Sequence, residues 1–302
     1  MKEATGVAAA LLSSALGGTA IVASRHTAAD VGALMLGIIR FGVGFALVLP
    51  VALLRRERWP SLRDWPAVIV LGVLFFCVFP ILFNLSVIYT TAGRAALALA
   101  TAPLLTMLVA ALLKVEPLTG RKTAGVVVAT VGVALSLVSG LSGAPPGAWR
   151  GDLLMIGAAL GMALYSVWSR PYVRRSGTLS FCAAGMGAGV IALAFVLCLT
   201  PGTPALAGLA QASPSQIWTV SQIWTLAYLG VVCGAVMFIL WAYALTHTTP
   251  TRVVVTVTLN PVVAGLLAAL LLDEPVTWNL VVGLVAVALG IRLAITQGRR
   301  AA

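Results

Sequence analysis

A stretch of this chain occurs twice. Thr90-Thr91-Ala92-Gly93-Arg94 returns as Thr248-Thr249-Pro250-Thr251-Arg252, an offset of 158 residues. The same offset carries Pro103 onto Pro261, Glu116-Pro117 onto Glu274-Pro275, Gly125 onto Gly283 and Gly132 onto Gly290. No gap is needed over roughly fifty residues, and both copies are strongly apolar. A duplicated apolar segment points to a membrane protein built from two related halves.

Composition supports the membrane. The chain is 61% hydrophobic and 9% charged, with mean hydropathy +1.07, where a soluble domain carries about 25% charged residues. The net charge of +11 does not indicate nucleic acid. The basic residues sit in short clusters between apolar spans, and no basic stripe is interleaved with aromatics. Cys77, Cys182, Cys198 and Cys233 fall inside apolar spans without a CxxC pair and read as small packing residues. The N-terminus lacks a small-residue cleavage site and reads as the first span rather than a signal peptide.

A membrane helix needs about 20 mostly apolar residues. Ten stretches qualify: residues 4–24, 31–54, 65–89, 93–113, 119–139, 151–172, 179–200, 221–246, 252–272 and 277–297. Sheet edges would be unsatisfied in lipid, and the spans are too long and unalternating for a barrel. The expected fold is therefore an all-α integral membrane protein of ten transmembrane helices. With the N-terminus inside, 15 of the 19 Lys and Arg fall at cytoplasmic ends. Arg25, Arg40, Arg94 and Arg150 lie towards the other side, and the loop with Asp273 and Glu274 falls outside. The charge bias predicts both termini in the cytoplasm. The longest loop, residues 201–220, falls outside, and its neighbourhood carries Trp218 and Trp224, which read as interfacial anchors.

The duplication continues to the start of each half at an offset of 145, with Gly6 matching Gly151 and Ser24-Arg25 matching Ser169-Arg170. The expected halves are residues 1–140 and 151–302, with five helices each. Five is odd, so the second half enters the bilayer inverted. Inverted repeats place a cavity near the midplane, between the halves.

The segments from Tyr89 to Arg94, through Ala102-Pro103 to Glu116-Pro117, and from Thr248 through Asn260-Pro261 to Glu274-Pro275, resemble motifs of the EamA family of the drug/metabolite transporter superfamily. Gly151-Asp152-Leu153-Leu154 resembles that family's opening of the second half. The resemblance covers nearly the whole chain and is most like the YddG-type exporters of aromatic and other amino acids. It implies a bacterial inner-membrane exporter of small metabolites. The chain departs from the family at Leu16-Gly17-Gly18, where a Trp-Gly pair is frequent, and at Met162, where Trp is frequent.

Polar and aromatic groups inside the spans are the candidate substrate contacts: Phe79, Phe83, Asn84, Tyr165, Trp168, Trp241, Tyr243 and Asn260. A buried amide such as Asn84 must find partners, from a wet cavity or from a neighbouring helix. Tyr165 and Trp168 are three apart. Trp241 and Tyr243 are two apart and compete for one face. Aromatic walls suit an amphipathic zwitterion or a cation, though for any single aromatic lipid-facing or core packing is the more common outcome. Pro80, Pro103 and Pro261 free the carbonyls of Phe76, Leu99 and Val257 and are candidate hinges. Arg40 lies deepest among the charges, either structural or paired with a substrate carboxylate. His247 reads as interfacial, and Glu116 and Glu274 as groups that orient their own turns.

The reading is a secondary transporter exporting small amphipathic metabolites, foremost amino acids, by alternating access. The alternatives are an exporter of other metabolites or cationic drugs, and a passive channel. No HExxH, metal spacing, GxSxG or Walker motif is present, so no enzyme activity, metal or cofactor is expected. The expected partners are the small-molecule substrate and the lipid bilayer, with the chain a monomer.

Overall fold

The computed structural model describes residues 2–90, 98–137, 146–199, 219–271 and 278–295. Gly93, Arg94, Glu274, Pro275 and the long loop up to Trp218 lie outside the described residues. Every regular element among the described residues is helical. The chain runs α1 (Lys2–Val31), α2 (Ala33–Leu54), α3 (Trp65–Val73), a π-turn (Leu74–Val78), α4 (Phe79–Tyr89), α5 (Ala102–Leu112) and α6 (Gly120–Leu137). It continues as α7 (Ala148–Arg175), α8 (Thr178–Leu199), α9 (Val220–Gly230), a second π-turn (Val231–Val236) and α10 (Met237–His247). The last elements are α11 (Pro250–Val255), a single 3-10 turn (Thr256–Thr258), α12 (Leu259–Leu271) and α13 (Trp278–Ile295).

Six stretches among the described residues are long and apolar enough to cross a bilayer: Glu3–Ser24, Leu34–Leu54, Trp65–Phe83, Ala148–Arg175, Thr178–Leu199 and Val220–His247. The other four expected spans fall on α5, α6, α11–α12 and α13. Leucines, valines and Phe195 point outward, with Leu12, Ile191 and Val285 more than half exposed. Such a continuous apolar surface suits lipid and not water. Small residues fill the inside, where Ala10, Ala102, Ala158 and Ala163 are fully buried.

Helix boundaries recur at a fixed spacing. Phe79–Tyr89 and Met237–His247 have equal length and lie 158 residues apart, as do Gly120–Leu137 and Trp278–Ile295. Both α4 and α10 end at an extended threonine, Thr90 (φ −129°, ψ 167°) and Thr248 (φ −137°, ψ −174°). Packing pairs recur in the same way. α1 lies against α10 and α12, while α7 lies against α4 and α5; α2 packs on α8, and α6 on α13.

The π-turns revise the expected role of Pro80. In each turn a backbone N–H reaches five residues back, Phe79 to Leu74 and Met237 to Val232. Only the first is followed by a proline; Phe238 stands at the equivalent place. The turn therefore does not arise from a missing proline N–H. What both turns share is a preceding glycine pressed on a neighbouring helix. A Cβ at Gly72 would lie 2.5 Å from the Gly185 carbonyl oxygen, and one at Gly230 would lie 2.7 Å from Val43 Cβ. At Pro261 the freed Val257 carbonyl does fall in an interruption, the 3-10 turn. Pro103 follows a break at Thr101, whose N–H reaches three residues back to Ala98 at 3.2 Å.

The glycine faces of α6 and α13 meet each other. A Cβ at Gly125 would lie 2.5 Å from Ala294 N, and one at Gly132 would lie 3.0 Å from Val287 N. Backbone cannot yield as a side chain can. Gly125→Val is therefore expected to destabilise the protein by about 1–3 kcal/mol through overpacking, read as a lower thermal midpoint in detergent. An unchanged midpoint would show that this helix pair does not carry the packing.

Candidate functional site

Hydroxyl groups bind α1 to the later helices. Ser13 Oγ donates to the Met237 carbonyl at 2.8 Å, and Ser14 Oγ and Thr256 Oγ1 lie 2.7 Å apart. Thr19 Oγ1 and the Tyr228 hydroxyl are 2.5 Å apart, and Thr5 Oγ1 and the Tyr243 hydroxyl 3.3 Å. Such bonds satisfy polar groups in apolar surroundings. The Asn260 side chain is not satisfied in this way. Asn260 lies against α1 at its double glycine, so that a Cβ at Gly17 would sit 2.9 Å from Asn260 Nδ2. Its Oδ1 is buried without a hydrogen-bond partner. Gly17 thus leaves room for this amide, a pairing that sequence spacing alone does not reveal.

A second group of candidates gathers around an aromatic cluster. Phe75 and Tyr165 stack at 4.0 Å, Phe76 and Phe238 meet Phe75 edge-on, and Phe41 packs edge-on against Phe76 and Phe238. Phe79 contacts Phe75 at 5.5 Å and Phe83 at 6.1 Å. Tyr165 and Trp241 are buried in the same core, and Trp241 Nε1 has no partner. Trp168 is parted from them: it is 45% exposed, on the outer side of α7. Tyr243 lies on a groove of about 410 Å³ between α1 and α10, lined with Thr5, Ala8, Leu12 and Ile239. Asn84 falls within α4, and its side chain lies outside the described residues. Phe41, Phe75, Phe76 and Phe238 were not singled out in the sequence, because they come together only through packing of three separate spans.

Arg40 projects from α2 into this cluster. Its Nη2 donates to the Cys233 carbonyl at 3.3 Å, and its guanidinium carbon lies 5.5 Å from the Phe41 ring centre and 5.9 Å from that of Phe238. Nε is buried without a partner, and among the described residues no carboxylate pairs with this guanidinium. At the offset of 145 its counterpart is Gly185. The two positions exchange bulk. Arg40 packs beside Gly234, while Gly185 packs beside Phe76, and 76 and 234 are themselves 158 apart.

Four carboxylates lie elsewhere, at the end of the bundle where α1 begins. Two helix C-termini there close with the paired backbone bonds of a Schellman motif, with Arg56 (φ 48°) and Lys114 (φ 56°) in the left-handed region. These turns aim Glu57 and Glu116 across the bundle. Glu57 Oε2 accepts from the Leu179 and Ser180 amides at 2.8 and 3.3 Å, at the start of α8. Glu116 Oε1 accepts from the Thr251 amide at 3.1 Å, at the start of α11, while its Oε2 pairs with buried Lys122. Asp64 pairs with Arg175 at 3.2 Å, and Glu3 pairs with Arg252. Each of these four carboxylates joins the chain before residue 140 to the chain after 147. Glu116 was expected to orient its own turn; it pairs with Lys122 across that turn and also caps a helix of the other segment, since helix N-termini favour anions.

The fold is shared with known proteins. A solved crystal structure superposes with a TM-score of 0.79 at 20% identity, covering 99% of this chain and all of the other. An uncharacterized transporter of Archaeoglobus fulgidus is 23% identical over 93% of this chain and 95% of its own length. The uncharacterized transporter YdfC of Bacillus subtilis is 25% identical over 83% of this chain and 78% of its own. A probable terminal-alkyne amino-acid exporter of Streptantibioticus cattleyicolor is 28% identical over 72% of this chain and 68% of its own. The EamA-like transporter family model matches residues 4–138 and again 149–296. Matched along nearly its whole length and built from apolar spans, the chain belongs to the EamA-like transporter family and is a multi-pass transporter of the bacterial inner membrane.

Proposed function

We propose that this protein exports amino acids and similar amphipathic metabolites by alternating access between two inverted five-helix repeats, residues 1–140 and 151–302, with both termini in the cytoplasm. The recurrence of packing carries this reading. The contacts of α1 with α10 and α12 answer those of α7 with α4 and α5, the pattern that a twofold axis in the membrane plane produces. The interruptions before Pro103 and Pro261, and the π-turn before Pro80, supply bending points for such a motion.

The amino-acid assignment rests on what the repeats do not share. Among the described residues Arg40 is a guanidinium without a carboxylate, and Asn260 an amide with a free acceptor oxygen, where the other copy has Gly185 and Ala102. A zwitterion offers a carboxylate to the first and an ammonium to the second, and the aromatic groups Phe79, Phe83, Tyr165, Trp241 and Tyr243, with Asn84, would bound its side chain. A lone cation at Arg40 disfavours cationic drugs as substrates. All eight acids of the chain lie at or near span ends, which favours exchange or facilitated diffusion over a carboxylate proton relay. The cross-bundle carboxylates hold the cytoplasmic end closed, and the chain works as a monomer.

Reconstituted into liposomes, the protein is expected to take up labelled phenylalanine saturably, with uptake accelerated by unlabelled amino acid on the opposite side. Flux that rises linearly with concentration and ignores the opposite side would replace the carrier with a channel.

A further inference from the structure

The α2–α3 connection and the end of α7 enclose a cleft of about 500 Å³ that lies apart from the proposed substrate contacts and shares with the transport reading the Asp64–Arg175 pair. Arg58, Trp59, Ser61, Arg63, Asp64 and Arg175 line it. The backbone around it is fixed. The Asp64 and Trp65 amides both reach the Ser61 carbonyl, at 2.8 and 3.1 Å, and the Gly177 amide donates to the Arg58 carbonyl at 2.7 Å. Arg175 is held between Asp64, at 3.2 Å, and the Tyr172 ring, 5.1 Å from its centre. Asp64 neutralises one of the three arginines, which leaves two positive charges in the cleft.

The surroundings are apolar where a soluble anion site would be wet. Leu62 is 90% exposed and Leu54 83% exposed, beside the cleft and on the helix end leading to it. Trp59 and Trp65 stack with ring centres 6.4 Å apart, the residue type found at headgroup level in bilayers. Arginine presents planar donors that match phosphate oxygens and is less tightly hydrated than an ammonium. We propose that this cleft binds the phosphate of an anionic phospholipid headgroup, with the acyl chains lying along Leu54 and Leu62.

The test uses the full-length protein in neutral detergent, titrated with phosphatidylglycerol, phosphatidylcholine or inorganic phosphate and read by native mass spectrometry. Phosphatidylglycerol is expected to be retained over phosphatidylcholine. The R58Q/R63Q variant leaves the Arg175–Asp64 pair intact and is expected to bind it about 30-fold more weakly, at about a factor of five for each arginine. The R55Q/R56Q variant removes equal charge from the same connection but outside the cleft, and is expected to bind within threefold of wild type. A thermal midpoint unchanged without added lipid shows that both variants fold. Equal losses in the two variants, or no preference over phosphatidylcholine, would overturn the site. Inorganic phosphate displacing the lipid at millimolar concentration would make it a free-anion site and overturn the lipid assignment.

Discussion

Replacing Arg40 with glutamine is expected to raise the KM for amino-acid transport about 100-fold and to leave the protein at least as stable as the wild type. The two halves of this expectation come from one observation. In the structure the guanidinium has a backbone carbonyl, the Met237 sulfur and two aromatic rings, with Nε buried and unbonded. A charge held this way in a span is costly, and removing it relieves that cost. Substrate changes the sign, because a bound carboxylate completes the pair, and truncating one partner of such a pair costs about 2–5 kcal/mol. A substrate analogue that keeps the amine and lacks the carboxylate is expected to be carried equally by both proteins. A lower thermal midpoint together with an unchanged KM would make Arg40 a packing residue. R40K keeps the charge without the planar fork and is expected to fall between the two.

The sequence carried the architecture further than the site. Repeats are legible because backbone geometry follows local chemistry: Thr90 and Thr248 end their helices in the same extended conformation. The glycines of α6 and α13 were legible as a small face, and they do meet across that interface. Pro80 shows the limit. A proline implies a bend, yet the π-turn beside it recurs at Val231–Val236 with no proline. Its location follows from close packing of Gly72 and Gly230, which is a tertiary fact. The site was less legible for the same reason. Tyr165 and Trp168, three apart, stand about 60° from each other around the helix, yet lipid takes Trp168 while the core takes Tyr165. Phe75 and Phe76 become a cluster only once Phe238 and Tyr165 arrive from other spans. Glu116 was visible because the repeat places Glu274 at the matching position, but its partner at Thr251 lies 135 residues away.

Glu116→Gln is expected to open the end of the bundle that holds the four cross-bundle carboxylates. Glu116 and Lys122 are both buried, at 4% and 9% side-chain exposure. Removing the charge of one partner leaves the other buried alone, which costs about 3–5 kcal/mol. The glutamine keeps the shape and can still accept from the Thr251 amide, so the change isolates the charge. In an open arrangement Lys122 meets water and the penalty vanishes. The variant therefore shifts the closed-to-open balance by about 100-fold or more. A cysteine at Thr251, fully buried in this structure, reports the shift once the four native cysteines are replaced. Its labelling by a membrane-impermeant maleimide is expected to accelerate in the E116Q background. A cysteine at Ser166, fully buried in α7, is expected to stay unlabelled, which separates gate opening from general unfolding. Adding Lys122→Met removes the stranded charge and is expected to return labelling towards the wild-type rate. If labelling at position 251 is the same in the E116Q background as with Glu116 intact, the buried pair fastens a turn and does not bias the gate. If both positions label faster, the pair supports the whole fold instead.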